Sequence, residues 1–247
     1  MPAELITTLR ELRRSGRINE ARELLAQAQR DQPDPKLAFL AWQHAEFWWL
    51  PLQGKRITLR RRGPEDAALV RRCWSDADFM GRFNRLAMPL PESDEALKAI
   101  LAREHWALAE ESHALHWTVH VGASGCGFVS LVDIVFSHRR AEFLIGVTPG
   151  TNVWVGPEAA HLALQFAARQ MKLERLSAHF YPENPSALRA AEKLGFEREG
   201  LLRGYLRLPD ADPCGGRRAD LIVAGLLLDE PFFERSARLR ARLLGKR

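Results

Sequence analysis

Cysteine is scarce: only Cys73, Cys126 and Cys214 occur among 247 residues, and no two form a CxxC pair. That argues against a disulfide framework and against a structural zinc site, which need cysteines in closer company. Long apolar runs are missing too. A membrane-crossing helix needs roughly 20 apolar residues, whereas the greasiest stretch, Leu221 to Leu228, has the length of a buried strand. The opening Met1-Pro2-Ala3-Glu4 lacks the basic flank and apolar core of a secretion signal. The glycine fingerprints of P-loop and dinucleotide-binding proteins are also absent. These absences predict a reduced, cytoplasmic chain with no metal and no membrane partner.

Positive charge is plentiful. Thirty-six Lys and Arg against 31 Asp and Glu give a formal charge of +5. A basic surface suits polyanions, including nucleic acid and nucleotide cofactors. Much of the excess lies in the tail from Arg235 to Arg247, a charge run that reads as a solvated helix face. Nucleic acid is therefore not an expected partner.

Residues 1–52 read as helical. Leu5, Leu9 and Leu12 repeat at helical spacing until Ser15-Gly16-Arg17, and Ala21, Leu24, Leu25 and Ala28 follow until Pro33-Asp34-Pro35. This pattern resembles one tetratricopeptide unit, and a lone unit cannot bury its own apolar face. A third helical stretch, Leu37 to Leu50, carries Trp42, Phe47, Trp48 and Trp49. Clustered tryptophans are usually core or interface, so this stretch is expected to pack the hairpin onto the next domain or onto a second subunit. Docking of a protein partner is the alternative.

Pro51-Leu52-Gln53-Gly54-Lys55 reads as a boundary, and residues 53–232 as one domain followed by a basic tail, 233–247. Ile57 to Arg60 alternates like a strand, and helices are predicted from Gly63 to Trp74 and over 92–110. Three strands follow, Leu115 to Val121, Gly127 to Val135 and Ala141 to Val147, divided by turn-like segments. Then come a helix (Pro157 to Lys172), a strand (Arg175 to Phe180), a short helix (Pro185 to Lys193) and strands near 201–206 and 221–228. Hairpins first and β-α-β later predict an α/β (α+β) fold, a mixed sheet with helices on both faces.

Two segments carry a family resemblance. In Asn184-Pro-Ser186-Ala-Leu-Arg-Ala-Ala-Glu-Lys193-Leu-Gly195-Phe196, followed by Glu199-Gly200, the residues Asn184, Lys193, Gly195 and Phe196 stand in a specific register. The segment from Ile57 to Asp66 lies the right distance upstream. Together they resemble the GNAT acetyltransferase superfamily, and within it the Rim-type branch that acetylates protein N-termini, aminoglycosides and amino sugars. The resemblance implies a mostly antiparallel sheet with a central splayed parallel pair, and acetyl-CoA as co-substrate.

It also implies sites. A pyrophosphate needs backbone N–H donors at a helix N-terminus. The loop from Thr151 to Gly156 stands where the family has its glycine-containing phosphate loop, with Glu158-Ala159 on the family's Glu-Ala pair. Gly156 is kept, but Trp154 replaces the first glycine, leaving the amides of Val153, Val155 and Gly156 as expected donors beside Trp154. Asn184 and Ser186 are expected contacts of the pantetheine arm, although Asn184 also suits a helix N-cap. The Val147 N–H is the expected donor to the thioester carbonyl.

Transfer to an amine needs a base. Glu142, in Ala141-Glu142-Phe-Leu-Ile-Gly146, occupies a position where many members of the branch carry an equivalent Glu. Among apolar strand residues its desolvation would favour base duty; the competing reading is an edge-facing Glu or one salt-bridged near Arg139 and Arg140. His179 on the next strand is a candidate second base or acid, with Asp133 and His120 behind it. Ala191 stands where other GNAT members place a general-acid tyrosine. The acceptor is expected to be a small-molecule amine or a protein N-terminus. Its walls are sought among Trp74, Phe79, Phe83, Asn84, Arg85, Met88, Tyr205 and the 208–218 loop, with Arg82 and Arg85 favouring an anionic acceptor. The alternative is a catalytically degenerate binding module that recruits a partner through its N-terminal helices.

Overall fold

The computed structural model describes residues 3–84, 87–207, 217–243 and 245. Three helices open the chain: α1 (Ala3–Arg14), α2 (Ile18–Asp31) and α3 (Pro35–Gln43). Leu9, Ala21, Leu25 and Leu37 close a small core among them. Asp34 caps α3 by accepting from the Lys36 N–H, with Pro35 in the first turn where its missing N–H costs nothing.

The expected third helix stops at Gln43. A single 3₁₀ turn, Glu46–Trp48, then drives Trp48 into the main core, where it is 2% exposed. Its ring meets Phe166 edge-on at 5.7 Å, and its Nε1–H donates to the Trp42 carbonyl at 2.7 Å. Indole burial is tolerated here because the one polar atom has a partner. The tryptophan cluster thus packs the helical hairpin onto the rest of the chain.

Among the described residues eight strands form one sheet: β1 (Leu52–Gln53), β2 (Thr58–Arg61), β3 (Leu115–Val121), β4 (Ser124–Val135), β5 (Arg140–Val147), β6 (Arg175–Phe180), β7 (Glu197–Arg207) and β8 (Arg218–Leu227). Their order is β1-β2-β3-β4-β5-β6-β8-β7. Every neighbouring pair is antiparallel except β5 and β6. The segment read as a boundary forms β1, because Leu52 and Gln53 pair with Leu59 and Thr58.

Between the strands lie α4 (Ala67–Trp74), α5 (Ala77–Phe83), α6 (Asp94–Trp106), α7 (Ala109–Ser112), α8 (Val155–Arg169) and α9 (Pro185–Leu194), and α10 (Glu230–Leu243) follows the sheet. Strand alternation sends Phe128 to one face and Val129 to the other. Phe128 joins Val70, Phe79 and Leu101 of the early helices, whereas Val129 joins Ala159, Ala163 and Ala167 of α8. The helix expected over 92–110 divides into α6 and α7 at Ala107, whose carbonyl accepts from Arg61 Nη2. Of the loop expected at 208–218, residues 208–216 lie outside the described residues.

Candidate active site in the strand gap

β5 and β6 stay in register for three pairs only, Arg140 with Arg175, Ala141 with Leu176 and Glu142 with Ser177. Past Glu142 each strand follows its outer neighbour. β5 continues along β4 to the pair Val147–Gly127, and β6 along β8 to the pair Phe180–Ile222. The strands part, and the gap opens into a cavity of about 970 Å³.

The gap presents backbone. Thr148 N–H donates to the Cys126 carbonyl at 2.8 Å, so antiparallel alternation turns the Val147 N–H to the opposite edge of β5, the side of the gap. Val147 itself lines the cavity. Just before it, Gly146 is required by close approach. A Cβ there would stand 2.6 Å from Phe83 Cδ2 and 3.1 Å from Phe79 Cζ, so only glycine lets α5 lie against β5.

Glu142 and His179 meet at the closed end of the gap. His179 Nδ1 lies 2.9 Å from Glu142 Oε1, and the two side chains are 32% and 21% exposed. The hydrogen bond to Glu142 raises the imidazole above its ordinary value, against the lowering effect of burial. Glu142 is therefore neither sunk among apolar neighbours nor bridged to an arginine, as the sequence had suggested. Arg139 is taken by Glu174, and Arg140 by Asp133 at 2.5 Å. Asp133 is thus occupied outside the gap. His120, with Asp66 at 3.6 Å, sits at the β2–β3 side of the sheet.

The phosphate-loop candidates are spread. Trp154 is the N-cap of α8 at φ −83, ψ −15, a backbone any residue adopts, so the lost glycine freedom is not needed there. Its ring carries the Arg56 guanidinium 4.9 Å from the centroid. The Val155 N–H is already given to the Asn152 carbonyl at 3.0 Å, and Val153 is 92% exposed and is not part of the cavity wall. Gly156 does line the cavity, and a Cβ on it would meet nothing within 4 Å. Of the expected loop residues, Gly156 alone reaches the site. Glu158, 3% exposed, accepts from the Lys55 and Arg56 amides and anchors the first turn of α8 to the β1–β2 turn.

Asn184 caps α9. Its Oδ1 accepts from the Ala187 N–H at 3.3 Å and from the Ser186 hydroxyl at 2.9 Å. Ser186 lines the cavity; Asn184 does not. The helix ends at Gly195, whose φ of 103 is the left-handed conformation that a C-cap glycine supplies. Ala191 also lines the cavity.

Of the residues sought as acceptor walls, Arg82, Phe83 and Asn84 line the cavity, while Trp74 and Phe79 pack beneath them on Phe128. Met88 faces a separate cavity of about 750 Å³, Tyr205 stands 55% exposed on β7, and Arg85 lies outside the described residues. Sequence reasoning missed the cations. Arg189 and Lys193 of α9 and Arg235, Arg238 and Arg242 of α10 all line the cavity, and Glu142 is the one carboxylate among its described lining residues. The i, i+3, i+7 spacing of the three arginines was the available signal, since it sets them on one stripe of a helix.

The Acetyltransferase (GNAT) domain family matches residues 56–197, more than half of the chain. The chain belongs to the GNAT acetyltransferase family. This acetyltransferase is 28% identical over 187 residues to the Uncharacterized N-acetyltransferase p20 of Bacillus licheniformis, covering 72% of this chain and 97% of the relative. It is 34% identical over 87 residues to the Spermidine N(1)-acetyltransferase of Escherichia coli K12, covering 35% of this chain and 47% of that one. The fold is shared with a Vibrio cholerae spermidine N-acetyltransferase solved in complex with CoA and spermine. That likeness has a TM-score of 0.60 and 22% identity over 71% of this chain and 97% of that one. The strand gap is therefore the gap of an acetyltransferase fold.

Among the described residues no group of three or more His, Cys, Asp or Glu could hold a metal ion, and no helix is long and apolar enough to cross a membrane.

Proposed function

We propose that this GNAT enzyme moves an acetyl group from acetyl-CoA to a primary amine in the β5–β6 gap. The observation that carries the reading is the Glu142–His179 pair at the closed end of a gap into which the Val147 N–H is turned. Acetyl-CoA suits this gap on three counts. Strand edges offer backbone groups to an extended amide-bearing arm, Gly156 leaves open space at the start of α8, and the cations of α9 and α10 favour phosphates.

Attack of a neutral amine on the thioester carbonyl forms the C–N bond, breaks the C–S bond and releases the CoA thiolate. The proton that leaves the amine goes to the Glu142–His179 pair. With Nδ1–H donated to Glu142, the neutral ring keeps its lone pair on Nε2, and the carboxylate steadies the imidazolium once the proton arrives. The Val147 N–H stabilises the charge that develops on the carbonyl oxygen. Val153, Trp154 and Val155 shape the start of α8, and Ser186 and Asn184 hold the start of α9, so both helices frame the bound arm.

The acceptor is a small-molecule amine. The spermidine-acetylating relatives support that class, while Arg82 on the rim favours an amine that also carries negative charge. The same reading assigns the chain to the Rim-type branch, as a cytoplasmic protein whose tetratricopeptide-like hairpin serves packing. A degenerate binding module is opposed by the Glu142–His179 contact, which such a module would have no reason to keep.

The test is calorimetric titration with acetyl-CoA and CoA, followed by thiol release in the presence of a panel of amines. Saturable binding and amine-dependent thiol release are expected. Absence of binding at millimolar ligand would overturn the proposal.

A further inference from the structure

Residues 233–243 of the expected basic tail belong to α10, which is packed against the domain rather than solvated on all sides. Phe232 is buried, and Ser236 Oγ accepts from Gln165 Nε2 at 2.6 Å and is hydrogen-bonded with His161 Nδ1 at 3.0 Å. Burial holds His161 below its ordinary value, which favours the neutral ring. Arg169 lies over the Phe233 ring at 5.3 Å. These contacts seat α10 along α8 and leave another stripe, Arg235, Arg238 and Arg242, facing the cavity.

Both ends of that stripe are located by contacts. Arg235 rests against Gly195, the C-cap of α9, and its Nε is buried without a hydrogen-bond partner. At the other end the Leu243 carbonyl accepts from Arg56 Nη2 at 3.1 Å, and the same guanidinium stacks on Trp154, the N-cap of α8. The stripe therefore runs from the end of α9 to the start of α8, about 10 Å at the helical rise of roughly 1.5 Å per residue. Arg189 and Lys193 face the same space from α9. Arg238 has one weak ion pair, with Glu234 at 3.9 Å, and both side chains are 68% exposed. Five cations around one stretch of cavity repel each other unless an anion joins them. The helix lies beyond residues 56–197, so the family match does not account for it.

We propose that α10 is a phosphate-binding wall for the nucleotide end of the cofactor. Arg235, Arg238 and Arg242, with Arg189 and Lys193, hold the pyrophosphate and ribose phosphate of a 3′-phosphonucleoside diphosphate. They take over donors that the Trp154 loop no longer provides, since the Val155 amide is spent within the loop and Val153 is not part of the cavity wall. The inference rests on the acetyl-CoA reading of the cavity and deepens it.

The test is calorimetry on the full chain with CoA, dephospho-CoA and phosphate-free S-acetylpantetheine, comparing wild type with the double substitution Arg238→Gln, Arg242→Gln. Both positions are solvent-facing enough to leave the core untouched, and circular dichroism checks this. CoA affinity is expected to fall at least about tenfold, the preference of CoA over dephospho-CoA to shrink, and S-acetylpantetheine binding to stay unchanged. Wild-type CoA binding with no loss in the folded variant would overturn the wall and leave the acetyl-CoA reading standing. Equal loss for the phosphate-free ligand would also overturn it. A wild type that binds no CoA would overturn both.

Discussion

His179 Nδ1 and Glu142 Oε1 stand 2.9 Å apart across two parallel strands, although 37 residues separate them in the chain. The contact falls just past the last register pair, Glu142–Ser177, where the strands begin to part. Replacing Glu142 by Gln keeps the shape of the site and removes the charge that supports the imidazolium. The expected result is a fall in kcat of about 10²–10⁴, the usual worth of a positioned acid–base group. Calorimetry should show acetyl-CoA affinity unchanged.

The same contact sets a pH dependence. Glu142 raises the imidazole above 6.5, so on the proposed mechanism the proton-accepting form of the pair is restored only as pH climbs past that raised value. The acidic limb of the kcat/KM profile is expected above pH 6.5, and in Glu142→Gln the His179 midpoint should drop toward its ordinary value. Proton NMR of the ring measures it directly. For stability the sign is opposite to a carboxylate's. A group held higher in the fold contributes fully below its unfolded value, and the contribution is lost as pH rises through the folded value.

Gly146 separates β5 from α5. A valine there would be driven into Phe83 and Phe79. Overpacking of this kind costs about 1–3 kcal/mol. Denaturant unfolding of Gly146→Val should show that loss, together with weakened acceptor use, because α5 carries the Phe83–Asn84 rim.

Trp48 joins the helical hairpin to the sheet core beside Phe166 and Phe136. Trp48→Ala is expected to destabilise by about 3–5 kcal/mol, as aromatic truncations in cores do. Arg61, fully buried and held by the Trp48 and Ala107 carbonyls, spans the same junction. Burial pushes its guanidinium down to about 9, still charged at neutral pH. Arg61→Leu should therefore unfold at lower denaturant, with both carbonyls left unpaired.

Much of this was legible from local signals. The limits of β3 and β6 follow from alternation between turn residues, and α9 is marked by Asn184 in front and Gly195 behind. The short β1 was not, because two residues carry no period and their strand character comes only from β2. The Glu142–His179 contact was not, because register between parallel strands is set by how α8 crosses over rather than by either strand. The arginines of α10 were visible as a charge run. Which way they face is decided by Phe232 and Ser236 docking on α8, a matter of tertiary packing.

The parting of β5 and β6 leaves two strand edges inside a sheet, where edges are ordinarily absent. Unpaired edges are templates for another strand, and here they are shielded by α8, α9 and α10 instead of by a neighbour. On the proposed reading, acetyl-CoA lying in the gap would complete the sheet, at once reactant and missing strand. Binding to the folded state alone raises apparent stability with ligand concentration. The resistance of this protein to unfolding and proteolysis would then track the supply of its own substrate, making the fold a reporter of the metabolite it consumes.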